Sequence, residues 1–315
     1  MSPKLLGIHH ITALASDPQR NLDYYTRILG LRLIKQTVNF DDPGTYHLYY
    51  GDNLGHPGTI LTFFPYPDAQ RGKRGAGQIT AVAFAISPDS VTFWAQRLAR
   101  YGVQFDGPLS RFDEEVITFD DPDGLRIELI ARPGNNRRHA NHNRAVPVEH
   151  SLQDFLGVTL ASFRTGPTMN LLIDQMGFTG GQENGDRVRM VLGENGQNIH
   201  VDISTDKPHS GHVSAGSVHH IAWRAADSAA QLAWRNSLTF AGQNVTPVID
   251  RTYFKSIYYR EPGGILYEIA TDQPGFAIDE SPDKLGSNLM LPPWLESQRE
   301  SIQHHLPPLK VAAAV

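Results

Sequence analysis

Two histidine pairs stand in nearly the same setting towards opposite ends of this 315-residue chain: Gly7-Ile-His-His-Ile-Thr12 and Ser217-Val-His-His-Ile-Ala-Trp223. Each pair sits in a short apolar, β-branched run, the pattern of a half-buried strand. If the two strands lie side by side, one imidazole from each can project into a shared cavity, and neutral imidazole is the commonest nitrogen ligand for a metal. A single His in such a place is more often a satisfied core or edge residue; two copies with a carboxylate at the matching position are not. The chain has no cysteine, which excludes disulfides, thiolate metal sites and thiol nucleophiles together. Any metal must therefore be held by His and carboxylate, a donor set that favours iron, manganese or zinc.

The elements that must position these residues form a fourfold repeat. Strand 6–14 runs into a helix opened by Asp17-Pro18 and closed at Gly30; strand 78–86 into one opened by Ser87-Pro88 and closed at Gly102. Strand 156–163 leads to a helix from about Pro167 to Gly177, and strand 217–225 to one from about Asp227 to Gly242. Several strands follow each helix. Segments 119–131 and 259–271 share a turn of Asp, Pro and Gly type that feeds a final strand, 193–203 is a looser version, and Gly58–Phe64 holds the same place in the first unit. A period of roughly 70 residues results. The fold class expected is α+β, with four βαβββ modules. Modules one and two fill residues 1–135 and modules three and four fill 150–275, with a polar linker over Pro133–Glu149. Residues 276–315 form a Pro-rich tail with one helix from about Pro292 to His305, docked through Trp294 and Leu295.

Comparing modules position by position singles out one ligand set. The second His of the first strand is His10 in module one, Ala81 in module two, Leu160 in module three and His220 in module four. The carboxylate of the last strand falls at Phe63, Glu128, Asp202 and Glu268 in the same order. One complete set follows: His10, His220 and Glu268. Building it requires modules one and four to share a sheet with their first strands adjacent, while modules two and three pair with each other. Glu128 and Asp202 are then surface or salt-bridged residues. A two-His, one-carboxylate set is the facial arrangement of non-haem iron(II) oxygenases, and it leaves three positions open for an organic oxygen ligand and O2. His139, His142, His150, His209 and His212 read as solvated loop residues, and His304 and His305 as complements to a helix C-terminus.

Longer stretches carry a family likeness: the two His-His motifs, Asp250-Arg-Thr-Tyr-Phe-Lys-Ser-Ile-Tyr-Tyr-Arg-Glu-Pro-Gly-Gly264 with the following Ile-Leu-Tyr-Glu-Ile-Ala-Thr-Asp, and Leu291-Pro-Pro-Trp-Leu-Glu296. Over essentially its whole length the chain resembles the vicinal oxygen chelate superfamily and, within it, the hydroquinone-cleaving ring dioxygenases. The resemblance implies two glyoxalase/extradiol-dioxygenase-like domains, an Fe(II) cofactor, and a hydroquinone-class aromatic and O2 as substrates. It implies iron ligands at His10, His220 and Glu268, and residues around the metal and substrate at His9, Thr12, His219, Arg251 and Tyr258. Thr12 shares a strand face with His10, but His9 and His219 should point to the opposite face from their neighbours. They reach the metal cavity only if a bulge or strand end re-aims them; the alternative is hydrogen bonding beneath the sheet. The planar, always-charged fork of Arg251 suits an electron-rich substrate or developing oxyanion, and Tyr258 could donate to a substrate oxygen. A catechol substrate remains open on chemistry alone. A glyoxalase-type isomerase would need a fourth protein ligand at Phe63, which cannot bind metal, and a metal-free binding protein of this fold has no need of two buried His and a Glu.

Composition bounds the rest. Charged residues make up 19% and hydrophobic residues 40% of the chain, the balance of a soluble globular protein. A net charge of −5 and a pI near 6.3 give no reason to expect nucleic acid or an anionic membrane as partner. No apolar run reaches the length of a membrane span, and Met1–Gly7 lacks the start of a signal peptide. A cytoplasmic homo-oligomer is the expectation.

Overall fold

Apolar, β-branched runs and a glycine after each helix divide the chain into its units, and a computed structural model shows how they assemble. It describes residues 4–133, 145–193, 198–206 and 209–311; most of the expected linker, with His139 and His142, lies outside them. Two eight-stranded sheets carry the fold. The first is ordered β14 (Ile249–Asp250), β15 (Lys255–Arg260), β16 (Leu266–Thr271), β13 (Val218–Ala225), β1 (Ile8–Ala15), β4 (Ile60–Pro65), β3 (Asp42–Gly51) and β2 (Arg32–Asn39). The second is ordered β10 (Thr179–Asn184), β11 (Arg187–Leu192), β12 (Ile199–Ser204), β9 (Phe155–Ala161), β5 (Gln78–Ile86), β8 (Arg126–Ala131), β7 (Glu114–Asp120) and β6 (Phe105–Arg111). Modules one and four thus share a sheet, and so do modules two and three. In both sheets the two first strands pair antiparallel at the centre and each is flanked by a parallel last strand, an internal pseudo-twofold arrangement.

Local chemistry explains the helices. Asp17 Oδ1 accepts from the Arg20 N–H at 2.7 Å to open α1 (Pro18–Asp23), and Asp227 Oδ1 accepts from the Ala230 N–H at 2.8 Å to open α4 (Ser228–Phe240). A 3-10 turn, Pro88–Ser90, leads into α2 (Val91–Arg100) without a side-chain cap from Ser87. α1 and α3 (Thr165–Asn170) each run on into a five-residue π turn, Tyr24–Ile28 and Leu171–Gln175. The closing residues Gly30, Gly102, Gly177 and Gly242 have φ of 72°, 69°, 77° and 83°, a left-handed conformation that costs a Cβ-bearing residue energy.

Burial on both faces of the central strands separates two environments. Ile11, Ala13, Ile221, Trp223, Ile269, Leu61 and Phe63 belong to the main core beneath the helices. The alternate residues face the concave side, where Ile60, Ala222, Ala270, Tyr49, Tyr253, Phe254 and Phe276 form a second apolar cluster. His10, Thr12, Thr62, His220 and Glu268 share the strand parity of that concave face.

The tail wraps the β2 edge of the first sheet. Lys35 on β2 is fully buried and ion-paired at 2.6 Å with both Asp279 and Glu280, while Gln36 Nε2 donates to Gly286 O at 2.7 Å. The tail helix is shorter than expected: a 3-10 turn, Glu296–Gln298, precedes α5 (Arg299–His305). Leu295 is buried, whereas Trp294 is 53% exposed and stands edge-on to Phe40. His150 is not a solvated loop residue. Its ring stacks on Phe93 at 4.2 Å and Nδ1 lies 2.9 Å from Ser90 Oγ. His209, His212, His304 and His305 are exposed. Among the described residues no helix is long and apolar enough to cross a membrane.

Candidate metal centre

Strand register decides which side chains share the cup. β1 and β13 pair with His10 opposite Ala222 and Thr12 opposite His220, so the pseudo-twofold relates His10 to His220. In the second sheet Ala81 stands opposite Thr159 and Ala83 opposite Gly157, which makes Ala81 and Gly157 the counterparts of the two histidines. Module three therefore places Gly157, not Leu160, at the His position, and a Cβ there would come within 2.0 Å of His200 O. Two residues further along each first strand, Thr12, Ala83, Thr159 and Ala222 have Thr62, Glu128, Asp202 and Glu268 as their parallel partners. The fourth position in the cup is thus Thr62, not Phe63, whose ring packs against Tyr25 (4.6 Å) on the opposite face. Glu128 and Asp202 are buried and ion-paired, Glu128 with Arg111 at 2.8 Å and Arg187 at 3.3 Å, Asp202 with Arg189 at 2.7 Å.

Two bulges place the first His of each pair. Between Ile8 and His10 the register slips with His9 as the extra residue on β1, and between Thr12 and Ala13 it slips with His219 as the extra residue on β13. The extra residue breaks strict alternation, so both rings come beside their neighbours: His9 Nδ1 is 2.9 Å from His10 Nδ1, and His219 Nδ1 is 2.7 Å from His220 Nδ1. The outward nitrogens converge. His10 Nε2 and His220 Nε2 are 3.3 Å apart, and Glu268 Oε2 is 3.5 Å from the first and 2.9 Å from the second. All three residues are buried.

This donor set fits a metal. Bonds of about 2.1 Å to a first-row ion in tetrahedral or octahedral geometry put neighbouring ligand atoms about 3.0–3.4 Å apart, close to the three separations observed. Glu268 Oε1 accepts from Ser256 Oγ, but the buried Oε2 makes no hydrogen bond, a state that is costly without a cation. Burial disfavours ionisation of Glu268, yet the adjacent imidazoles hold its carboxyl well below the usual carboxylate range. Burial also pushes His220 down, against the pull of Glu268. With Nε2 of each ligand ring as a lone-pair donor, its proton sits on Nδ1 and is donated to His9 or His219, which fixes both rings.

Around the cluster lies a cavity of about 440 Å³, lined by His47, Tyr49, Phe64, Phe254 and Leu266 as well as His219, Arg251 and Tyr258. Arg251 Nε donates to Tyr258 Oη at 3.2 Å, its guanidinium lies 5.3 Å from the Tyr258 ring, and Nη1 reaches Asp41 at 3.1 Å. Burial raises the Tyr258 phenol, which keeps it a hydrogen-bond donor. His219 sits at the mouth, where water reaches one edge while the surrounding protein desolvates the ring; burial first, then His220, lowers it to about 3. His9 is buried, and its own shift is downward from burial and His10. Thr12, paired opposite His220, is buried and accepts from Thr62. The eight residues singled out from the sequence therefore converge on one cup, though only His219, Arg251 and Tyr258 of the five non-ligands line the cavity. Sequence reasoning missed Thr62, His47, Tyr49 and Ser256. A comparison of modules in the correct strand register would have found Thr62 and, from it, His47 and Ser256 on the neighbouring strands.

Known proteins give the same picture. Residues 7–129 match the family described as the Glyoxalase/Bleomycin resistance protein/Dioxygenase superfamily. A Bacillus subtilis protein named "Putative ring-cleaving dioxygenase MhqO" is 43% identical over 99% of each chain. The chain belongs to the ring-cleaving dioxygenases of this superfamily. A second member, the chlorohydroquinone/hydroquinone 1,2-dioxygenase of Sphingobium indicum, is 33% identical over 94% of each chain. A crystal structure of a Bacillus subtilis protein named "putative dioxygenase" superposes with a TM-score of 0.94 at 43% identity, covering 99% of each chain. This dioxygenase therefore has the glyoxalase-type fold along its whole described length, with one cup that could hold a metal ion.

Proposed function

We propose that this dioxygenase opens the ring of a hydroquinone-type phenol with O2, using iron(II) held by His10, His220 and Glu268. The observation that carries the reading is the convergence of two Nε2 atoms and an orphaned carboxylate oxygen in a cavity whose fourth position is a threonine. Three protein donors leave three positions of an octahedral site open, enough for an aromatic bound through one or two oxygens together with O2, where a fourth protein donor would leave only two. The substrate class rests on the name of the Sphingobium relative and on the cavity, which lies within the size range of small-molecule sites. Iron(II), when bound, supplies a Lewis acid for a phenolate and the electronic path between ring and O2.

The chain's own residues orient the substrate and exclude water. Phe64, Phe254 and Leu266 offer apolar walls to the ring. Arg251, its fork set by Tyr258 and Asp41, stabilises negative charge on a substrate oxygen, and the neutral Tyr258 donates a hydrogen bond beside it. His219, with its Nδ1 accepting from His220, carries its proton on Nε2 and offers it as a hydrogen-bond donor at the mouth of the cup. His9 has no such opening and acts by orienting His10.

Oxygen uptake on protein loaded in turn with iron(II), manganese, zinc and nickel tests the reading. Uptake with para-hydroquinones on the iron form alone is expected. Uptake with catechols alone rejects the substrate class, and thiol-adduct isomerisation by the zinc or nickel form without oxygen uptake rejects the reaction.

A further inference from the structure

The turn that carries Arg251 adopts a backbone its residues do not favour. Arg251 and Phe254 both line the cavity, and Arg251 N donates to Phe254 O at 2.9 Å, so the two stand at the feet of one tight turn. Between them Tyr253 N donates to Arg251 O at 2.8 Å, which closes a three-residue turn around Thr252 at φ 70°. A β-branched side chain at that φ is a genuine outlier, and a turn of this kind is rare and strained. Such a backbone persists only where its surroundings over-determine it. Both cavity residues depend on it: Arg251 Nε reaches Tyr258 Oη at 3.2 Å, and the Phe254 ring lies 4.9 Å from the His10 ring and 5.1 Å from the His9 ring.

Tyr253 is buried and turns to the tail instead of the cavity. Its ring stacks on Phe276 at 5.0 Å, and Lys35 Nζ lies 5.2 Å from its centre. Its hydroxyl donates to Asp279 Oδ2 at 2.9 Å, while Asp279 Oδ1 accepts from Lys35 at 2.6 Å. The direction is unambiguous, because an ion-paired carboxylate can only accept. The backbone is held from the same side, with Gly275 N donating to Tyr253 O at 2.8 Å. Apart from Lys35, these partners lie within residues 275–279, beyond the last strand of module four. The hairpin that the turn caps is short, since β14 has two residues, and the tail supplies the rigidity that two strand pairs do not.

We propose that Tyr253 is a positioning residue: anchored to Asp279, it holds the strained Arg251–Phe254 turn, so that the C-terminal tail sets where the Arg251 guanidinium and the Phe254 ring stand in the cup. The consequence for turnover rests on the dioxygenase reading; the anchoring of Arg251 does not.

Two measurements test it. Tyr253→Phe keeps the stacked ring and removes only the hydroxyl, and Asp279→Ala removes its acceptor while Glu280 keeps Lys35 paired. In metal-free protein labelled with 15N-arginine, NMR should show the Arg251 Nε–H exchanging with water about tenfold faster in each variant. The Arg224 Nε–H, bonded to Asp272 at 2.7 Å, is the reference and should not change. In iron-loaded protein, each variant should lower kcat/KM for hydroquinone about tenfold, the size of one hydrogen bond to a charged group, with iron content unchanged. The double variant should be no worse than the worse single one, since both cut one anchor. Thr252→Gly, which adopts φ 70° without strain, should recover most of the activity lost in Tyr253→Phe, because the turn then stands without its anchor. Unchanged exchange at Arg251, iron lost in proportion to activity, multiplicative losses in the double variant, or no recovery with Gly overturns the proposal. Faster exchange at Arg251 in the variants of a protein whose wild type consumes no O2 with any phenol instead rejects the dioxygenase reading and leaves the anchor standing.

Discussion

At the scale of single residues, the cup separates groups that would hold the metal from groups that would use it. His10→Ala, His220→Ala and Glu268→Ala should each remove bound iron while the protein stays folded; a metal-to-protein ratio equal to wild type in any one of them removes that residue from the ligand set. Arg251→Lys should leave iron content intact and reduce turnover by roughly 2–4 kcal/mol of transition-state stabilisation, because charge is kept and the planar fork is lost. The buried imidazoles also set a pH dependence. His9, His47, His200, His219 and His220 are all lowered, chiefly by burial, below their ordinary value of 6.5. For each, the unfolded state binds a proton that the folded state refuses, so stability rises with pH. This contribution is complete above about pH 6.5 and is lost as pH falls below it, for His219 down to about 3. Asp121 runs the other way: burial raises it from 3.8 to about 6, so its contribution is lost as pH rises through 6. His56, raised by its hydrogen bond to Asp52, also runs the other way. Five groups against two set the sign, and the Tm of the metal-free protein should fall between pH 7 and 5. A flat or rising profile by calorimetry would mean that these rings are not held neutral.

At the scale of elements, much of the architecture was legible. The cap residues Asp17 and Asp227, the four closing glycines and the apolar runs located helices and first strands because each has a local physical cause. The π turns after α1 and α3 have no such signature, and strand alternation reports faces, not register. That gap shifted two assignments. Leu160 lies three residues beyond Gly157, and Phe63 one residue beyond Thr62, a step that exchanges the cup for the core. Counting by twos left the direction of His9 and His219 open, and at each of them a bulge consumes one residue and resets the parity. The register makes a direct prediction. Thr62→Glu should add a donor to the cup and tighten metal binding by about tenfold or more, read as Kd by competition with a chelator. Phe63→Glu would bury a carboxylate against Tyr25 and Tyr50 and should cost at least about 3–5 kcal/mol in urea denaturation, as for loss of a core aromatic. The reverse pattern would mean that β4 is misregistered.

At the scale of the whole molecule, the tail is fastened by charge inside the protein. Lys35→Met should cost about 3–5 kcal/mol, since Asp279 and Glu280 would be left without their buried cation. Denaturation would measure it, and a loss under 1 kcal/mol would show that water or rearrangement compensates. The nesting of the modules has a further consequence, for the order in which the protein is made. When translation has passed Ser204, every strand of the second sheet exists, but β1 still waits for β13, which begins at Val218. The first module to leave the ribosome is the last to find its partner. In the interval β1 carries an unpaired edge of the kind that recruits other chains. A fragment ending near residue 210 and released from the ribosome should therefore protect the second sheet from protease while residues 1–70 are cut. The cell would meet this enzyme first as a closed inner half with an open, association-prone start, and only chain completion would close the seam on which the His pairs lie.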